Sequence, residues 1–202
     1  MHDVIIEDNG GDGIYAYQSY PHIYDSIVRN NGSNGIYGNY WNPWTIKNTL
    51  VYNNNGDGIQ VYSNTNTTSS VENCTVYGNQ GYGISGLVNI ENSIIYNNSS
   101  SLTGDVNITY SNIQGGYSGE GNIDADPLFS DPDNGDFSLL ANSPCIDAGN
   151  PNSDLDTYGT IVEMGAFSFM PTSGCADEYA CNYNPDANQD DGSCDYSCHN
   201  NG

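Results

Sequence analysis

An apolar residue, a second one five positions on, an asparagine three beyond that and a closing Gly-Ile pair recur along the first half of the chain. Ile23, Val28, Asn31, Gly35 and Ile36 form one copy. Ile46, Val51, Asn54, Gly58 and Ile59 form the next, and Val71, Val76, Asn79, Gly83 and Ile84 a third. Met1, Ile6, Asn9, Gly13 and Ile14 keep the same offsets ahead of them. Ile90, Ile95 and Asn98 begin a copy without the Gly-Ile pair, and Ile108 and Ile113 begin another with Gly116 in the asparagine's place. Successive copies start 22, 23, 25, 19 and 18 residues apart, yet 13 residues always separate the leading apolar position from the Ile in the first four. Length therefore varies only after the Ile. A fixed block with one variable connection is the signature of a solenoid whose loops emerge on one side.

The blocks are short runs rich in Val, Ile, Tyr and Thr, which favours strands. Leucine recurs at no fixed place, against a leucine-rich repeat, and no segment carries a capped helical pattern. The expected fold class is all-β: a right-handed parallel β-helix solenoid, its coils stacked at about 4.8 Å, with a small disulfide-rich C-terminal module. Equivalent residues then lie above one another. Asn9, Asn31, Asn54, Asn79 and Asn98 predict a ladder in which each side-chain amide donates to the next carbonyl. The glycine before each Ile is expected to permit a tight or left-handed corner. The column Ser26, Thr49, Cys74, Ser93 and Ser111 marks a narrow part of the interior, with Cys74 a buried free thiol. The first block starts in mid-coil with its strand edge open, so further coils are expected ahead of residue 1.

The stretch "NIDADPLFSDPDNGDFSLLANSPCIDAGNP", residues 122–151, breaks the repeat. Phe129, Phe137, Leu139 and Ile146 are expected to cover the last open rung. Asp124, Asp126, Asp131, Asp133 and Asp136 admit two readings, turn chemistry beside Pro and Gly or a metal site. The expected division is residues 1–122 for the coils, 123–170 for a terminal coil and cap, and 171–202 for a Cys-rich module. In that module Cys175, Cys181, Cys194 and Cys198 are separated by 5, 12 and 3 residues. Zinc knuckles of the Cys-x2-Cys type are missing, so the four read as disulfides in any of three connectivities. So small a unit needs such staples, because burial alone does not hold it. Within "DANQDDG", Asp186, Asn188 and Asp190 alternate ahead of Asp191 and Gly192. That is either a weak calcium loop or an acidic turn, and calcium is the one candidate cofactor.

These motifs carry three resemblances. The repeat, over about residues 1–122, resembles the pectate-lyase-like parallel β-helix repeats of secreted carbohydrate-active enzymes and bacterial surface proteins. The boxes "DPLF", "GDF" and "SPCIDAG", followed by "EMGAF" at Glu163 to Phe167, are similar to the closing segment of bacterial surface β-helices. Here "DLDTYG" replaces the usual Asp-Gly-rich version with its arginine. The tail resembles the short Cys-rich "NYNPxA…DDGSC" units that follow surface domains in many marine bacterial and some viral proteins. Together these imply an extracellular protein, secreted or at the cell surface. The scaffold hosts lyases, hydrolases, epimerases, adhesins and tailspikes, so the resemblance implies fold rather than activity.

Charge narrows the partners. With 25 acidic side chains against Arg29 and Lys47, the net charge is −23. Such a chain repels nucleic acid and anionic lipid, and no apolar run reaches the ~18 residues that span a bilayer. Neither a nucleic-acid partner nor membrane insertion is expected. The N-terminus lacks the pattern of a signal peptide, while the clustered cysteines point to an oxidising compartment. Lyases on this scaffold typically use Arg or Lys near calcium, and its hydrolases use paired carboxylates in set motifs that do not occur here. Carboxylates such as Asp3 and Glu7 pair by chance in so acidic a chain, Glu7 and Arg29 read as a surface ion pair, and His2, His22 and His199 fit no triad.

The chain thus reads as a non-catalytic extracellular β-helix segment, a stalk or an adhesive, carbohydrate-contacting module. The alternative is the C-terminal part of a polysaccharide lyase or glycoside hydrolase. Tyr52, Tyr77 and Tyr96 follow the inward Val or Ile and should point outward, where rings stack on sugars or steady the column. Tyr40, Trp41 and Trp44 in the "GNYWNPW" connection are the other candidate contacts for a polysaccharide or cell-surface glycan.

Overall fold

A computed structural model describes residues 1–39, 43–62, 68–185, 187 and 189–199. Among these residues three parallel sheets build a right-handed solenoid of about five turns. The first sheet stacks Ile5–Glu7, Ile27–Arg29, Leu50–Tyr52, Thr75–Tyr77, Ile94–Tyr96 and Asn112–Ile113. The second stacks Ile14–Tyr17, Ile36–Asn39, Ile59–Val61, Tyr82–Gly86 and Ser100–Thr103. The third stacks His22–Tyr24, Thr45–Lys47, Ser69–Glu72, Val88–Glu91 and Val106–Thr109. The register pairs equivalent positions of the repeat, for example Val28 with Val51, Ile36 with Ile59, and Ile46 with Val71. All six of these side chains are buried in the solenoid interior.

The asparagines divide their labour between two conformations. Asp3, Asp25, Asn48, Asn73, Asn92 and Tyr110 form one left-handed column, just before the first sheet. Asp8, Asn30, Asn53, Gly78, Asn97 and Gly115 form another just after it. Asx residues tolerate this region better than most, and glycine better still. In "YNNNGD", Asn53 therefore turns the chain while Asn54 supplies the ladder. The small column proves polar for a reason of its own. Ser26, Thr49, Cys74, Ser93 and Ser111 each donate to the carbonyl two residues back. Ser93 Oγ also accepts Cys74 N–H at 3.1 Å, and Ser111 Oγ accepts Ser93 N–H at the same distance. A hydroxyl here satisfies backbone groups at a corner that alanine would leave bare. Burial pushes the Cys74 thiol up to about 12.

The role expected of the repeat glycines is corrected. Gly13, Gly35, Gly58 and Gly83 are absent from the left-handed positions, most of which Asx residues occupy instead. These glycines are needed for close approach. A Cβ on Gly58 would lie 2.5 Å from Val76 Cγ1, 2.7 Å from Gly83 O and 2.8 Å from Asn79 Nδ2. Gly58→Ala should cost about 1–3 kcal/mol by overpacking, read from urea denaturation. Gly11→Ala, with nothing within 4 Å of its Cβ, is the control and should be near neutral. Equal effects would refute the packing argument.

The segment after residue 122 is also placed differently from expectation. Ile123 still bridges to Asn112 on the last rung. Phe129–Asp131 and Asp136–Leu139 then form an antiparallel hairpin around the 3-10 turn Pro132–Asn134. The hairpin covers no open rung; it folds back along the outer face of the first sheet. Phe137 packs against Tyr52 and Tyr77 at centroid distances of 4.9 and 5.2 Å, and Phe129 against Tyr77 at 5.8 Å. Leu139 is buried opposite Phe129, and Ile146 is half-buried. Further along, Asn150 N–H donates to Asn92 Oδ1 at 2.7 Å, Gly165 N–H to Asn92 O at 2.8 Å and Ala166 N–H to Thr75 Oγ1 at 3.0 Å. The outward apolar column Ile27, Leu50 and Ile94 explains the direction: those side chains would otherwise face water.

Contacts divide the chain into Met1–Ser168 and Phe169–Gly202. Within the second unit, Ser173–Gly174 pairs in parallel with Gln189–Asp190. Cys175 is bonded to Cys194 and Cys181 to Cys198, which selects one of the three connectivities. Asn182 ties the two halves of this unit, donating to Ser193 O at 2.8 Å and accepting Asp195 N–H at 2.7 Å.

Candidate functional site

The outward column Arg29, Tyr52, Tyr77 and Tyr96 runs along the first sheet, one residue after the inward Val or Ile of each coil. At its start, Arg29 Nε donates to Glu7 Oε2 and Nη1 to Tyr52 Oη, at 2.5 and 2.6 Å. The Tyr52 hydroxyl, then Glu7, raise the Arg29 guanidinium above its ordinary value. Tyr52 is only 4% exposed beneath Phe137, so its proposed role as a ligand contact is withdrawn: the chain's own hairpin occupies that ring.

Tyr77 packs against the hairpin's Phe129 and Phe137, and the column opens beside it at Tyr96. Tyr77 and Tyr96 border a cleft of about 340 Å³, completed by Asn97, Asp126, Leu128 and Leu140 among others. Asp126 is fixed in it, since its Oδ1 accepts Leu128 N–H at 3.0 Å. Leu128 adopts a left-handed φ of 54°, an unfavourable conformation for a branched side chain that the surrounding turn imposes. Burial, then Asp126 and Asp124, raise the Tyr96 phenol, which stays a neutral hydrogen-bond donor at neutral pH. Aromatic rings beside a carboxylate and an amide offer stacking together with hydroxyl partners. Of the cleft residues, the sequence alone points to Tyr77 and Tyr96 and not to the wall formed by Asp126, Leu128 and Leu140. The "DPLF" box, Asp126 to Phe129, carries the signal for most of that wall.

Trp44 is 2% exposed and lies in the solenoid core, so the expectation of an exposed sugar contact is overturned. A Cβ on Gly38 would sit 2.5 Å from the Trp44 ring; the missing side chain makes the room that the indole fills. Tyr40 and Trp41 lie outside the described residues. The asparagine column is a continuous ladder, with Asn9, Asn31, Asn54 and Asn79 Nδ2 each donating to the next Oδ1 at 2.9 Å. In the tail, Asp186 and Asn188 lie outside the described residues. Asp190 Oδ1 accepts Gly192 N–H at 3.0 Å and Asp191 Oδ1 accepts Ser193 N–H at 2.9 Å. Among the described residues no group of three or more His, Cys, Asp or Glu is placed to hold a metal. Asp131 and Asp136 serve turns, accepting from Asn134 Nδ2 at 2.7 Å and Ser138 N–H at 3.0 Å. His2 bridges Asp3 and Asp25 at 2.6 and 2.9 Å on the exposed surface, a contact between coils that a linear reading does not reveal.

Residues 1–122 match the family described as "Right handed beta helix region". Among solved structures, the crystal structure of pectate lyase Pel9A is similar at a TM-score of 0.39 and 15% identity, over 82% of this chain and 70% of that one. No curated protein matches the chain.

Proposed function

This chain belongs to the right-handed β-helix family, and on that scaffold we propose a non-catalytic extracellular module that contacts polysaccharide or cell-surface glycan. The observation that carries the reading is the cleft beside Tyr77 and Tyr96, where two aromatic rings, a fixed carboxylate and an amide converge. Two disulfides support the extracellular setting, because such bonds persist in oxidising compartments. The stacked coils suit a stalk, since each added coil lengthens the molecule without altering its cross-section.

Calorimetric titration of the whole chain against soluble polysaccharides tests the proposal. At least one should bind, and Tyr96→Ala should weaken that binding about tenfold, the ~1.4 kcal/mol expected for one lost stacking ring. Tyr96→Phe should retain it. Indifference to Tyr96→Ala for every polysaccharide that binds, or no binding at all, would remove the cleft as the contact site. The wild type should release no unsaturated or reducing ends. Release abolished by a substitution within residues 1–202 would overturn the non-catalytic part.

A further inference from the structure

A second aromatic surface lies on a different sheet. Strand alternation sends Ile14, Ile36, Ile59 and Ile84 inward, so Tyr15, Tyr37, Gln60 and Ser85 stand in register on the outer face of the second sheet. Tyr62 follows Val61 and donates its N–H to Gly38 O at 3.1 Å, which sets it beside this column. Tyr15 and Tyr62 are 58% and 47% exposed. Tyr37 bridges them, its ring 5.5 Å from Tyr15 and 6.3 Å from Tyr62. Burial, then Tyr62, Tyr15 and Asp12, raise the Tyr37 phenol, so it too remains a neutral donor.

The polar groups around these rings are held in place. Asn34 Nδ2 donates to Gln60 Oε1 at 3.3 Å, and Gln60 Nε2 to Tyr62 Oη at 3.1 Å. Along the edge, Asp12 Oδ1 accepts Asn34 N–H at 2.9 Å, Asn34 Oδ1 accepts Asp57 N–H at 2.8 Å and Asp57 Oδ2 accepts Ser85 Oγ–H at 2.8 Å. The core does not require these tyrosines, since the inward Ile residues supply it. The first sheet has its returning hairpin, whereas this face keeps exposed aromatic area.

We propose that the outer face of the second sheet, through Tyr15, Tyr37, Tyr62 and Gln60, binds an uncharged pyranose polysaccharide laid along the solenoid axis. Charge selects the class. Asp12 and Asp57 border the face, and the two cations of the chain belong to other sheets, where Arg29 pairs with Glu7 and Lys47 with Glu72. A uronate or sulfated chain would meet carboxylates without a cation to offset the repulsion. Spacing selects the direction: coils repeat at about 4.8 Å, close to the length of one pyranose in an extended chain, so each sugar meets one coil. Tyr37 lies at 43° to Tyr15 and 80° to Tyr62, so a sugar face stacks on one ring and meets the edge of the next, while sugar hydroxyls pair with the amide and phenol groups. This site is separate from the Tyr77–Tyr96 cleft and rests on different residues.

Affinity electrophoresis of the whole chain through gels containing hydroxyethyl cellulose, polygalacturonate or chondroitin sulfate tests the assignment. Hydroxyethyl cellulose should retard the wild type, with little change on adding salt. The double variant Tyr15→Ala, Tyr62→Ala should lose at least tenfold in affinity, Tyr15→Phe, Tyr62→Phe should keep most of it, and Tyr96→Ala should leave this binding in place. Retardation by polygalacturonate or chondroitin sulfate at least equal to that by hydroxyethyl cellulose would overturn the uncharged class. A double alanine variant that melts lower yet binds like wild type would show that the tyrosines only steady the column, and would overturn the site. Retardation by hydroxyethyl cellulose that Tyr96→Ala abolishes would assign the binding to the cleft instead.

Discussion

Replacing Asn54 with leucine is expected to lower the unfolding free energy by about 3–5 kcal/mol, with stranded polar groups contributing ~1–3 kcal/mol each. Asn54 Oδ1 accepts both Asn31 N–H and Asn31 Nδ2–H, at 3.0 and 2.9 Å, in a fully buried turn. Its own amide donates to Val28 O, Tyr52 O and Asn79 Oδ1. Leucine has nearly the same shape and fills the slot, so the loss isolates hydrogen bonding from cavity formation. Asn31 N–H is left without an acceptor, and water has no route to it. Asn9→Leu is the comparison. In the chain of residues 1–202 Asn9 is exposed and donates to Asn31, and among the described residues no asparagine side chain donates to it. That variant should cost under about 1 kcal/mol. Urea denaturation of both decides the matter; equal losses would mean that the ladder contributes no more inside than at its end.

The coils were legible because stacking converts a sequence offset into a contact. Once the positions of Val28, Val51 and Val76 are known to repeat, their register follows, and with it the asparagine ladder. Less was legible where a contact joins residues with no shared period. Tyr52 could be assigned outward from its place after Val51, but nothing local says that Phe137, 85 positions later, lies over it. The same limit hid the Tyr77–Tyr96 cleft, whose far wall is Asp126 to Leu140. The burial of Trp44 is hidden for a different reason: Gly38 is the small partner that makes it possible, and a glycine in the sequence marks room as readily as a turn. The tyrosine face of the second sheet was half visible in "GIY" at Gly13–Tyr15 and Gly35–Tyr37. The next two coils carry Gln60 and Ser85 there, so the column is no repeat in the sequence.

Phe137→Ala should cost about 3–5 kcal/mol, the usual range for deleting a buried phenylalanine, and the loss should be local in its consequences. Phe137 is 2% exposed and touches Tyr52, Tyr77 and Phe129, so it joins the hairpin to the first sheet through one aromatic cluster. Interior residues such as Val51 and Val76 make none of their ladder bonds through it. Hydrogen exchange in the variant should therefore speed up across Phe129–Leu139, while the amides of the central coils keep their protection. The two proposed binding surfaces should also part company. Phe129 and Leu128 line the cleft, so glycan binding that depends on Tyr96 should fall with the hairpin's release. Retardation by hydroxyethyl cellulose, which depends on Tyr15, Tyr37 and Tyr62 on another sheet, should persist. Uniform loss of protection through every coil would instead make the hairpin an integral layer of the solenoid, formed and lost with it.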